Sequence, residues 1–178
     1  ILYNRLTDEE DGNSSYLVDL PEGGEGYVIG NELLKGVRAD NPNAISYASE
    51  KPDVTEGGLW VVNNTLYNRY PNATFVRNRS QRPARVVNNV AVGAPVSLKA
   101  GAVELEANRQ DVFHGLKDAP GLDFGLLPDS PLIDAGVDPG EAVGGSLLPE
   151  IEYVHPASGR PRQRVAAPDA GAREFCGW

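Results

Sequence analysis

An asparagine recurs inside apolar runs of this chain, and that recurrence narrows the possible folds more than any other feature. The segments "ILYNRL", "YVIGNELLKG", "WVVNNTLYNR" and "RVVNNVAVG" align on Asn4, Asn31, Asn64 and Asn89, at spacings of 27, 33 and 25 residues. Leu2, Ile29, Val62 and Val87 stand two places before these asparagines, and Leu6, Leu33, Leu66 and Ala91 two places after. Strand side chains alternate faces, so the pattern predicts that each asparagine shares an inward face with both apolar columns. One buried amide left unpaired costs about 1–3 kcal/mol. Amides stacked one per coil, about 4.8 Å apart, satisfy one another instead. The expectation is therefore a ladder of Asn4, Asn31, Asn64 and Asn89 at a bend between two short strands.

Further short strands are expected at "YLVDL", "AISYA" and "TFVRN", with Leu17, Ile45 and Phe75 as another apolar column. Polar, turn-rich segments such as "TDEEDGNSS", "GVRADNPN" and "SEKPDVTEGG" separate them. Twenty Gly and 14 Pro with no Met fit many turns and few long helices. These features describe an all-β fold, a right-handed parallel β-helix. Residues 1–100 supply its coils, and 101–178 its last coil and an irregular wrapping and capping tail. A β-sandwich is the competing architecture; it explains the strands but not the in-register asparagines. The first coil begins in mid-strand, so an upstream segment or a partner chain is expected to cover it.

With 178 residues the chain suits one domain. Its formal charge of −9 argues against nucleic acid as a partner, since phosphate binding needs a basic field. No apolar run approaches the ~18 residues of a membrane span. The single cysteine, Cys176, makes no intrachain disulfide and no CxxC-type metal site.

The ladder motifs "YVIGN", "VVNNT" and "VVNNV" and the later segment "DFGLLPDSPLIDAGVDPG" resemble the C-terminal part of bacterial right-handed parallel β-helix repeat proteins of the pectate-lyase-like superfamily. The closing "GRPR…PDAGAREF" is similar to the final motif of such proteins, with Ala170 in place of the usual Ile and Arg173 in place of the usual Tyr. The resemblance implies a secreted, periplasmic or cell-surface protein and an acidic polysaccharide as ligand. Lyases of this kind remove the C5 proton of a uronate with a Lys or Arg base, often with Ca²⁺ neutralising the carboxylate. Those groups usually sit on coils that would lie upstream here, so the resemblance carries no catalytic residue onto this chain.

The residues themselves offer a basic and aromatic set as the candidate substrate-binding surface: Lys35, Arg38, Arg69, Tyr70, Arg77 and Arg79. Arg82 and Arg85 continue the last part of that run without an intervening acid. Arginine grips carboxylates with two parallel hydrogen bonds and tyrosine offers a platform for a sugar ring. The plainer reading is that these arginines pair with surplus Asp and Glu on a solvated face. Asp8, Glu9, Glu10 and Asp11 crowd one loop with hard oxygen ligands suited to Ca²⁺, but their spacing does not match a Ca²⁺ loop, and a solvated acidic loop is the expectation. His114 and His155 lack neighbours for a triad or metal set and are expected to be structural, while Asp134 and Asp169 suit turns and backbone capping. The function expected is binding, or helping to process, an acidic polysaccharide, without a resident cofactor and with Ca²⁺ the ion to consider. A non-catalytic structural or adhesive cell-surface protein is the alternative.

Overall fold

The asparagine pattern becomes visible as geometry in the computed structural model, which describes residues 1–177. A first partial coil carries β1 (Arg5–Thr7) and β2 (Val18–Leu20). The second has β3 (Gly24–Ile29), β4 (Glu32–Lys35) and β5 (Asn43–Tyr47); the third has β6 (Gly57–Val62), β7 (Thr65–Asn68) and β8 (Ala73–Asn78). The fourth has β9 (Ala84–Val87), β10 (Val90–Gly93) and β11 (Val96–Gly101), and a last partial coil has β12 (Val103–Glu106) and β13 (Arg109–Gln110). Strands stack into three parallel sheets, ordered β3-β6-β9-β12, β1-β4-β7-β10-β13 and β2-β5-β8-β11. These are called the first, second and third sheets below. The chain is an all-β solenoid of the β-helix kind.

Two residues join the first sheet to the second in every coil, and each has its own task. The leading residue takes a left-handed backbone: Tyr3, Gly30, Asn63, Asn88 and Ala107 have φ between 50° and 65°. Asparagine tolerates that region better than most side chains, which accounts for the first Asn of each "NN" pair. The second residue turns inward and forms the ladder. The Nδ2 of Asn31 donates to Oδ1 of Asn64 at 2.9 Å, Asn64 to Asn89 at 2.9 Å, and Asn89 to Asn108 at 3.0 Å. Each Oδ1 also accepts the backbone N–H of the preceding ladder residue, with Asn4 N–H on Asn31 at 2.9 Å as the first of these. The second Nδ2 hydrogen of Asn64, Asn89 and Asn108 reaches the carbonyls of Val28, Val61 and Val86. Asn31, Asn64 and Asn89 are fully buried and fully satisfied.

The left-handed residue also reverses the faces, which corrects two of the expected columns. Leu33, Leu66 and Ala91 point into the main core with Val28, Val61 and Val86. Ile29, Val62 and Val87 instead lie on the outer side and form a separate cluster with Leu147. Their apolar character reflects cover by the C-terminal residues, not an inward position. Leu17, Ile45 and Phe75 are not one column either. Val18, Ile45 and Val76 are in register, and Leu17 N–H pairs with the carbonyl of Ala44, one place earlier.

Residues 111–177 run along the outside of the second sheet and its bend. They include three small antiparallel hairpins: β14 (Leu116–Asp118) with β15 (Asp123–Leu126), β16 (Glu141–Ala142) with β17 (Gly145–Ser146), and β18 (Ile151–Val154) with β19 (Ser158–Pro161). Val90 and Val92, facing out from β10, pack against Leu116, Phe124, Leu126, Leu132 and Ala170. The two "DAG" segments dock on the outward asparagines of the bend. Asn63 Nδ2 donates to the carbonyls of Asp169 (2.8 Å) and Gly171 (3.2 Å), and Asn88 Nδ2 to that of Val137 (2.7 Å). Gly171 has φ +92°, and a Cβ there would lie 2.7 Å from Oγ1 of Thr65, so only glycine fits. Asp169 ties the segments together by accepting the N–H groups of Asp134 (2.7 Å) and Phe175 (2.6 Å).

A chain of charged side chains completes this attachment. Glu32, on the outer face of β4 and fully buried, receives Arg5 at 2.6 Å and Arg173 at 2.5 Å. Arg173 continues to Glu152 at 3.6 Å, and Glu152 pairs with Arg160 at 2.7 Å. Arg162 meets Glu174 at 2.6 Å, both nearly enclosed. Arg160, Arg162, Arg173 and Glu174 all belong to the closing motif, so that motif is an ionic clasp between the last residues and the second sheet.

Three outcomes are expected. Asn64→Ala strands donors and acceptors in two neighbouring coils, and urea unfolding should show a loss on the order of 3 kcal/mol, against little effect for the exposed Asn4→Ala. Glu32→Ala removes the buried carboxylate shared by the half-buried Arg5 and Arg173, a loss of about 3 kcal/mol, the low end for breaking a buried pair, with hydrogen exchange rising first in residues 150–175. Burial, outweighing their hydrogen bonds and Arg162, raises both the Asp169 and Glu174 carboxyls above the ordinary carboxylate range. The folded state therefore holds these protons more tightly than the unfolded one. Their contribution is complete below about pH 4, the unperturbed carboxylate value, and is lost as pH climbs through the raised values. Melting temperature should thus rise on mild acidification from neutral pH, and by less in Glu174→Gln.

Candidate functional site

The residues singled out from the sequence do not assemble into one surface. Lys35 ends β4 on its inner side and is fully buried; its Nζ donates to the carbonyls of Ser15 (3.0 Å) and Ser14 (3.5 Å), with an Asp8 oxygen at 4.0 Å. Burial lowers its pKa, partly opposed by Asp8 and Asp40. Lys35 therefore pins a loop from inside and does not stand on an outer stripe, because the inward alternation of β4 continues through Leu33 to Lys35. Arg38 is exposed and paired with Asp11 at 2.7 Å. Arg69 is exposed and Tyr70 half-buried at the bend from the second sheet to the third. Arg77 lies half-buried in the third sheet, in register with Ser46 and Ala100, and Arg79 is exposed just beyond it. The last four follow one coil around its circumference, so they do not line up along the axis.

The acidic loop also divides. Asp8 turns inward, accepting the N–H of Gly36 at 2.9 Å and the Ser14 hydroxyl, while Glu9, Glu10 and Asp11 face solvent. Among the described residues no three His, Cys, Asp or Glu side chains converge to hold a metal. His114 is exposed, and His155 places Nδ1 3.1 Å from the Tyr153 hydroxyl.

The outer face of the first sheet is where aromatic and basic groups meet. Its outward residues run in register from Tyr27 to Trp60, Arg85 and Glu104, one per coil. The Tyr27 and Trp60 rings stack with centroids 5.0 Å apart and planes 13° from parallel. Trp60 lies over Gly58, whose missing side chain makes room: a Cβ there would sit 3.1 Å from the indole. The Tyr27 hydroxyl donates to Glu25, which raises its pKa, and accepts the N–H of Gly144 at 3.1 Å. A hydrogen-bond link thus joins the β16–β17 hairpin to the edge of this face.

Beside Trp60 opens a cleft of about 210 Å³, lined by Gly57, Gly58, Trp60, Arg82, Pro83, Arg85 and Glu104. Arg82 reaches the Thr55 carbonyl at 2.6 Å through one nitrogen, and Arg85 approaches Glu106 at 3.6 Å across exposed surface. An exposed contact of that length holds Arg85 only weakly, by roughly 0–1 kcal/mol, so its guanidinium is available to a ligand. The lining offers an indole face, an apolar proline edge, two guanidinium donors and one carboxylate acceptor. Such a set suits a small oxygen-rich ring with a flat C–H face.

Arg82 and Arg85 were legible in the sequence as the end of a basic run; Tyr27 and Trp60 were not singled out. The signal that finds them is the same alignment that finds the ladder, read four places before Asn31 and Asn64. Scans against family models, curated proteins and solved structures find no match to this chain.

Proposed function

We propose that this chain binds an acidic polysaccharide on the outer face of the first sheet, with one sugar unit seated in the cleft at Trp60. The observation that carries the reading is the convergence of the Trp60 ring with Arg82 and Arg85 in one cleft of a chain that is otherwise strongly acidic. A sugar laid on the indole buries C–H groups, and a uronate carboxylate takes the paired donors of a guanidinium. The sequence motifs add the finer assignment: a right-handed coil, membership of the pectate-lyase-like superfamily, a bacterial source, and a secreted, periplasmic or cell-surface location. The reading concerns recognition, and no proton-transfer step is attributed to these residues. No helix in the described residues is long and apolar enough to cross a membrane.

Retention on alginate, pectate and unsulfated glycosaminoglycan gels at low salt tests this. Trp60→Ala is expected to weaken binding about tenfold, ~1.4 kcal/mol, and Arg85→Ala to weaken it and reduce its salt dependence. Circular dichroism should show both variants folded, since both side chains lie on the outer face. Replacing Arg69 and Arg77 by Ala reports on the arginines around the third coil. A loss there, with Trp60→Ala unchanged, moves the site to that surface. Failure of the unaltered protein to bind any acidic glycan leaves stacking and display as its role.

A further inference from the structure

The charges along the Trp60 face are ordered, and the order bears on which acidic glycan fits. From coil to coil the outer column presents Tyr27, Trp60, Arg85 and then Glu104, each in register with the next. Coils advance by about 4.8 Å, close to the length of one pyranose in an extended glycan. A polysaccharide lying along the axis therefore meets one of these side chains per sugar. Its first two units face aromatic rings, the third a guanidinium, and the fourth a carboxylate. A further acid lies at the carboxylate end: Glu106, two residues from Glu104 on the same strand, stands 3.6 Å from Arg85. Glu104 and Glu106 are both exposed, and Glu104 lines the cleft itself.

We propose that the cleft selects an alternating acidic heteropolysaccharide, with one anionic sugar flanked by uncharged ones, over a homopolymer of uronates. The inference rests on the glycan reading of the cleft given above and refines its substrate class. A carboxylate opposite Arg85 is matched. A second carboxylate on the next sugar would lie one coil further on, against Glu104, where like charges repel across a few ångströms. A neutral sugar at that position offers hydroxyls instead, and the Glu104 carboxylate accepts hydrogen bonds from them. On the other side, the stacked rings favour a C–H face and gain nothing from charge.

The test compares two hexasaccharides of equal length by calorimetry at low ionic strength. One alternates glucuronate with N-acetylhexosamine; the other is hexagalacturonate. The alternating ligand should bind about threefold to tenfold more tightly, the effect of one like-charge contact at a solvated surface. High salt should narrow that gap. Glu104→Gln should close the gap, raising the affinity for hexagalacturonate severalfold and slightly weakening the alternating ligand, whose hydroxyls then meet a neutral acceptor in place of a charged one. Equal or tighter binding of hexagalacturonate by the unaltered protein overturns the inference, as does a gap that survives Glu104→Gln, and in either case glycan binding at Trp60 stands. If neither hexasaccharide binds, nor any acidic glycan gel, the glycan reading falls and this inference with it.

Discussion

Everything in this molecule depends on amides that pair along the solenoid axis. A coil of a β-solenoid is too short to bury its own core, and its strands reach only the coils above and below. The bend from the first sheet to the second is two residues wide in every coil, and it brings backbone groups inside where water does not follow. The ladder of Asn31, Asn64, Asn89 and Asn108 resolves this. Each side chain ties its neighbour's amide and a strand carbonyl in one arrangement, and none of the buried side-chain nitrogens or oxygens among the described residues is left unpaired. The ladder fixes the register of the first and second sheets together, so the outer columns of both follow from it.

The outside of the bend is as constrained as the inside. Asn63 and Asn88, whose left-handed backbone makes the corner, send their side chains outward to the carbonyls of Asp169, Gly171 and Val137. In the third and fourth coils one residue pair therefore serves both the ladder and the attachment of the C-terminal residues. Electrostatics adds direction. Glu32 in β4 is fully buried, and Arg5 and Arg173 meet its carboxylate from two sides. A buried charge with partners specifies position more than it adds stability. The clasp so formed holds the last residues at one height along the solenoid.

The sequence revealed the coils because apolar alternation and the asparagine spacing are both local signals. It misled where one residue changes the geometry. Ile29, Val62 and Val87 look inward by period two, yet the left-handed residue after each reverses the count, and only the packed C-terminal residues explain why they are apolar. Asn108 completes the ladder 19 residues after Asn89 but went unseen, because Glu106 and Gln110 flank it on the solvent-exposed last coil where apolar neighbours are not needed. Lys35 has the charge of a surface residue, and only the alternation of β4 through Leu33 places it on the inner face. Tyr27 and Trp60 could be placed only once the register was known, since two half-buried aromatics 33 residues apart carry no pairing signal of their own.

The position of the cleft follows from what the C-terminal residues leave uncovered. They bury the half of the first sheet nearest the ladder, where Ile29, Val62 and Val87 lie under Leu147, and stop at the Tyr27 hydroxyl, where Gly144 makes its contact. Beyond that line the outward residues are Glu25, Tyr27, Trp60, Arg85 and Glu104, which need no cover. The far end of the solenoid is treated in a similar way. Strands β11 and β12 have no partner beyond them among the described residues. There Lys99 stands in register with Val76, and Glu104 and Glu106 face outward. Charges at an open edge discourage pairing with another strand. Glu104 thus belongs both to the protection of that edge and to the polar end of the cleft. A residue with two such duties is a poor candidate for silent replacement, and its negative charge gives the face a direction along the solenoid axis.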